Sequence, residues 1–154
     1  MNPSTEYRVP RTEYRVAAVQ RFQDLTAWQK ARLLTREVYL ATREPDFSRD
    51  FGLRDQIRRA SVSIMANVAE GFERKGAGEF AHFLMIAKAS CAEVGSHLYV
   101  ALDVRYITDV QFESLYSQVD ETGRVIAGLH RAVVARATKL APTRNSALGT
   151  RNST

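Results

Sequence analysis

The chain has 154 residues, 45% apolar and 25% charged, which supports one globular domain with its own core and excludes a wholly disordered chain. Its formal charge of +5 belongs to the ends: residues 1–21 carry a net +2 and residues 136–154 carry +4, whereas residues 22–135 carry −1. The single cysteine, Cys91, excludes an intrachain disulfide or a thiolate metal knuckle and fits a reducing compartment. No apolar run approaches the ~18 residues of a membrane span and no signal-peptide pattern opens the chain, so a cytoplasmic protein without a membrane partner is expected.

In chain order, residues 1–21 read as an N-terminal arm. They contain a near-verbatim duplication, Thr5-Glu6-Tyr7-Arg8-Val9 and Thr12-Glu13-Tyr14-Arg15-Val16, and a lone short strand of this kind has nothing to pair with. The first helix is expected from Thr26, opened by a capping box Thr26-x-x-Gln29, to about Thr42, with Trp28, Ala31, Leu34, Val38 and Ala41 inward. Arg43 to Gly52, with Pro45, Asp46, Ser48 and Asp50, reads as a loop.

The second helix, from about Leu53 into the Gly71–Gly78 segment, organises the rest. Leu53, Ile57, Ala60, Ile64 and Val68 form one apolar row, and Val62, Met65, Ala69 and Phe72 a second, so the helix is expected to be covered on two sides. Between them Gln56, Arg59, Ser63, Asn67, Glu70 and Arg74 project along one polar line. The third helix, Glu79 to about Asp103, carries Phe80, Leu84, Ala87, Cys91, Val94, Leu98 and Ala101 in 4-3 alternation. The fourth, Asp109 to about Ala137, has the same rhythm from Phe112 to Val133 and a capping box Thr108-x-x-Gln111. Small residues on helices two and three (Ala60, Ala69, Ala87, Ala89, Ala92, Gly95) are expected to let those two approach closely. The fold class is therefore all-α: an antiparallel up-down four-helix bundle over residues 22–137, with a flexible arm before it and a disordered basic tail over 138–154, where Thr-Arg-Asn-Ser repeats.

The side chains offer little catalysis. Glu79-x-x-His82 has the spacing of carboxylate-bridged di-metal bundles, but that plan needs a second such pair, so no metal or cofactor is expected. Ser90, Glu93 and His97 share a helical face, where a nucleophile, base and oxyanion donor do not line up; a polar network with Ser63, Asn67 and Glu70 is the expected use. Arg58, Arg59, Arg74 and Lys75, with Arg144 and Arg151 of the tail, are the candidate contacts for RNA or DNA, although Asp55, Glu70 and Glu73 stand close enough to pair with them. No phosphate loop or nucleotide fingerprint is present, and no small-molecule substrate is inferred.

Phe22-Gln23-Asp24-Leu25-Thr26-Ala27-Trp28, the run Gln56-Ile57-Arg58-Arg59-Ala60 through Asn67-Val68-Ala69-Glu70-Gly71-Phe72, and Ala89-Ser90 with Glu93 carry a resemblance. From about Phe22 to Val133 the chain resembles the four-helix bundle family of the bacterial 23S rRNA intervening-sequence protein. The resemblance implies an up-down bundle that assembles as a homopentamer, without an established enzymatic activity. It also implies kinship with the accessory variability proteins of diversity-generating retroelements, which are thought to bind nucleic acid and a reverse transcriptase through a basic surface. Met65 stands where the family often has proline, so the second helix is expected to run straight there. The expected role is a non-enzymatic oligomeric scaffold or interaction module, with a nucleic-acid-binding accessory protein as the alternative.

Overall fold

The computed structural model describes residues 19–140. A 3-10 turn at Phe22–Asp24 precedes α1 (Thr26–Ala41), α2 (Pro45–Arg49), α3 (Phe51–Glu73), α4 (Ala77–Asp103) and α5 (Asp109–Leu140). Both Thr-Glu-Tyr-Arg-Val copies, the Thr-Arg-Asn-Ser repeats, Arg144 and Arg151 lie outside the described residues.

The helix starts show which local signals decide. At α5 the capping box forms: Gln111 N donates to Thr108 Oγ1 at 3.1 Å and Thr108 N donates to Gln111 Oε1 at 2.8 Å. At α1 it does not. Leu25 is the N-cap and Thr26 is already helical, while Gln29 Nε2 donates back to Gln23 O at 2.9 Å. Leu25 is buried in the core, and anchoring it there brings the chain into the helix one residue too early for the Thr26 hydroxyl to cap. The segment expected to be a loop contains α2, started by Pro45 at N1 and pinned by Phe47, which is fully buried and stacks on Tyr106 at 5.3 Å between ring centroids. Asp50 then caps α3 by accepting from Leu53 N at 3.0 Å.

Helix α3 runs unbroken through Met65, and α4 begins at Ala77, two residues ahead of expectation, so Gly78 lies inside the helix. At its end, Arg105 adopts φ 64°, and Tyr106 N donates to Ala101 O at 2.9 Å. This six-to-one bond with a left-handed residue is a Schellman stop, made here by an arginine in place of glycine. Helix α5 continues three residues past the expected end at Ala137, to Leu140.

Four long helices close a ring of neighbours, α1 beside α3, α3 beside α4, α4 beside α5, and α5 beside α1. Thr42 meets Arg58 while Thr35 meets Ser61, and Cys91 meets Val119 while Tyr99 meets Phe112, so adjacent helices run antiparallel. The 4-3 seams of α4 and α5 point inward: Leu84, Ala87, Cys91, Val94, Leu98 and Ala101 face Leu115, Val119, Thr122, Ile126 and Val133 across the core. On α1 the buried row is Ala27, Ala31, Leu34 and Val38; Trp28 and Ala41 are only partly covered. On α3 the row Leu53 to Val68 is buried, but Met65 and Phe72 of the second row are partly covered and Val62 is 40% exposed. Cover on both sides is thus incomplete.

Close approach of α3 and α4 depends on Gly71, where an added Cβ would stand 2.7 Å from Phe83 Cβ and 2.9 Å from Phe80 Cδ2. Gly95 and Ala92 do not serve that contact. Gly95 faces Tyr116 and Val119 of α5, and Ala92 lines the same α4–α5 groove.

Candidate functional site

The polar line of α3 borders α4, and the two helices bring some of its members together. Ser63 Oγ and Ser90 Oγ are 2.9 Å apart, and Asn67 Nδ2 donates to Ser63 Oγ at 3.0 Å and to Ser63 O at 2.8 Å. This three-residue cluster bridges the helices near their midpoints. The expected wider network does not form. Glu70 instead accepts from Arg74 Nη2 at 2.6 Å, a bond that pushes the guanidinium further up from its ordinary value and leaves Glu70 outside the cluster. Gln56 and Arg59 are exposed at the other end of the line.

His97 follows Ser90 by two turns on α4, about 10 Å at ~1.5 Å per residue, so it is no base for either serine. Its Nε2 is buried and makes no hydrogen bond within the chain; Glu93 Oε1 stands 3.5 Å away. Ser63, Ser90 and Asn67 thus form a satisfied cluster, and two turns along α4 stands an imidazole whose Nε2 makes no hydrogen bond. Such a buried polar atom typically costs about 1–3 kcal/mol until something pairs with it.

The candidate nucleic-acid contacts separate. Arg58 lies in the α1–α3 groove, where Nε donates to Thr42 Oγ1 at 2.7 Å and the guanidinium covers Tyr39 at 4.7 Å. Arg59 is exposed beside it. Arg74 belongs to the α3–α4 side, tied to Glu70, 4.0 Å from Glu79 and over the Phe83 ring; Lys75 is in the turn that follows. One continuous surface joining Arg58, Arg59, Arg74 and Lys75 is therefore not built. Four arginines were missed by sequence reasoning, Arg32, Arg36, Arg43 and Arg54, though the spacing of Arg32, Arg36 and Arg43 by four and then seven residues was there to be read.

Glu79 sits at the N-terminal turn of α4 near Arg74, and His82 is exposed against Phe83. Among the described residues no group of three or more His, Cys, Asp and Glu lies together as a metal site requires, and no helix is long and apolar enough to cross a membrane.

The fold and sequence can be set against known proteins. A crystal structure of a protein of unknown function from the S23 ribosomal protein family of Bacteroides thetaiotaomicron VPI-5482 superposes with a TM-score of 0.63 at 24% identity. The match covers 68% of this chain and 98% of that one, and at this identity it speaks for the fold. Among curated proteins none matches. The sequence profile described as 23S rRNA-intervening sequence protein matches residues 23–128, from the turn before α1 to the second half of α5. With that span covering most of the bundle, the chain belongs to the 23S rRNA-intervening sequence protein family.

Proposed function

We propose that this protein works without catalysis, as a self-associating helical module whose α3–α4 groove is closed by another copy of the chain. The observation that carries this reading is the half-satisfied groove: Ser63, Ser90 and Asn67 pair with one another, while the buried His97 Nε2 has no hydrogen bond. Arg59 on α3 and Glu93 on α4 flank it exposed, and Arg59 has no carboxylate within 4.0 Å among the described residues. A second copy that brings a hydrogen-bonding group to His97 and counter-charges to Arg59 and Glu93 removes the unsatisfied group and fixes register. The homopentamer implied by the resemblance is the assembly expected. Serving as a scaffold follows from that geometry, since one copy's free faces are then displayed several times.

Light scattering of the full chain tests this. Wild-type protein is expected at a multiple of 17.3 kDa, five-fold for the pentamer, with Arg59→Glu and Glu93→Lys each lowering the mass and their combination restoring it. A monomeric wild type sinks the reading, and so does an assembly indifferent to both substitutions.

A further inference from the structure

A second surface lies on the other side of α3 and does not depend on self-association. On α1, Trp28, Arg32, Arg36 and Tyr39 follow one another at spacings of 4, 4 and 3, which places them on one face, and Arg43 stands in the turn just past the end of the helix. On α3, Phe51, Arg54, Arg58 and Val62 form the facing row, with Asp55 at its outer edge. The bonds from Arg58 to Thr42 and from Thr35 Oγ1 to Ser61 O, at 2.7 and 2.9 Å, hold the two rows side by side. Together they present five arginines and one carboxylate, although the body as a whole is slightly acidic.

The arginines are arranged in two ways. Three are laid on aromatic rings: Arg32 over Trp28 at 5.6 Å, Arg54 over Phe51 at 4.7 Å and Arg58 over Tyr39 at 4.7 Å. Arg58 and Arg54 are also tethered, the latter to Asp55 at 2.9 Å and Ser48 O at 3.0 Å, so their planes are fixed. The other two, Arg36 and Arg43, are exposed, and among the described residues no carboxylate lies within 4.0 Å of them or of Arg32. Like-charged free guanidinium groups in a row repel one another and call for anions spaced along a line. From Trp28 to Arg43 the row is about 22 Å long at ~1.5 Å per residue, room for a few nucleotides.

We infer that the α1–α3 face is a binding site for single-stranded nucleic acid. Arg32, Arg36 and Arg43 grip phosphates through their planar forks, for which arginine is better shaped than lysine; the fixed Arg58 and Arg54 planes and the rim of Tyr39 and Phe51 accept unstacked bases. Phe51 is 65% exposed and Tyr39 38%, so both rings can be reached. No lysine occupies either row. A rigid helical face also has no reason to prefer base sequence, so binding is sequence-tolerant and salt-dependent.

The test is fluorescence anisotropy of the full chain with labelled oligouridine, oligothymidine and an RNA duplex, beside sedimentation with phosphatidylserine vesicles. Arg36→Ala with Arg43→Ala is expected to weaken oligouridine binding about ten-fold or more and to make the log–log salt slope shallower by about 1.4, at ~0.7 per phosphate contact on a single strand. Both side chains are exposed, so helicity by circular dichroism should stay unchanged. Arg144→Ala with Arg151→Ala should change affinity less than about three-fold, and stronger binding of oligouridine than oligothymidine would mark RNA as the source of the phosphates. The inference is overturned if the face variant binds as wild type does, if the terminal variant loses as much, or if duplex or vesicles are bound in preference to single strands. Masses of both variants, measured in parallel, separate this outcome from any failure of self-association.

Discussion

Cys91 Sγ donates to the Val119 carbonyl at 3.2 Å and the residue is 2% exposed between α4 and α5. Burial, followed by the Asp120 charge, pushes its thiol up to about 11 from an ordinary 9.0. An unfolded chain ionises this thiol near 9.0 and the folded one near 11, so the stability it confers is complete below 9.0 and is lost as pH climbs to 11. The full loss amounts to about 3 kcal/mol at ~1.4 kcal/mol per unit. Urea titrations should therefore show wild type declining more steeply over that window than Cys91→Ala, and parallel declines would refute it. The position of Cys91 on the inward seam was legible in the 4-3 spacing. The nearness of His97 to Glu93 was legible in their i, i+4 spacing; that its Nε2 receives no hydrogen bond from α3 was not, because what α3 places opposite has no signature along α4 itself.

Among the elements, two sequences of the same form, Thr-x-x-Gln, meet opposite fates. Thr108→Ala should destabilise the protein by about 1 kcal/mol, the usual worth of a formed cap, whereas Thr26→Ala should change little because Thr26 caps nothing. Equal losses in chemical denaturation would contradict the observed hydrogen bonds. Phe47→Ala supplies a sharper contrast. A loop residue would tolerate it, but Phe47 is fully buried against Tyr106, and about 3–5 kcal/mol should be lost by the same measurement. The long helices were readable because each repeats its apolar spacing for four turns or more, enough to establish a period. Helix α2 offers five residues and one anchor, and no period can be read from one point. Its aromatic partner stands on the far side of the chain, after α4.

For the whole molecule, net charge was a poor guide because it averages over direction. The near-neutral body of residues 22–135 carries five of its eleven arginines on the α1–α3 side and pairs some of its other cations locally, as in Lys30 with Glu121 at 2.8 Å and Arg74 with Glu70 at 2.6 Å. Only the relative rotation of two helices reveals the segregation. The ring of neighbours bears equally on how the chain reaches its fold. Contacts of α3 with α4 and of α4 with α5 close short turns, whereas α1 reaches α3 across the longer segment of residues 42–50 and its contact with α5 links the first long helix to the last. Loop-closure entropy makes the local contacts the cheaper ones to form first, so the folding nucleus belongs to α3, α4 and α5 and α1 docks late. In stopped-flow experiments Leu84→Ala, in α4, should slow refolding, while Leu34→Ala, in α1, should leave refolding nearly unchanged and accelerate unfolding. A helix that arrives last in folding is also the first to leave, so the rate at which α1 detaches sets the kinetic lifetime of everything α1 helps to build.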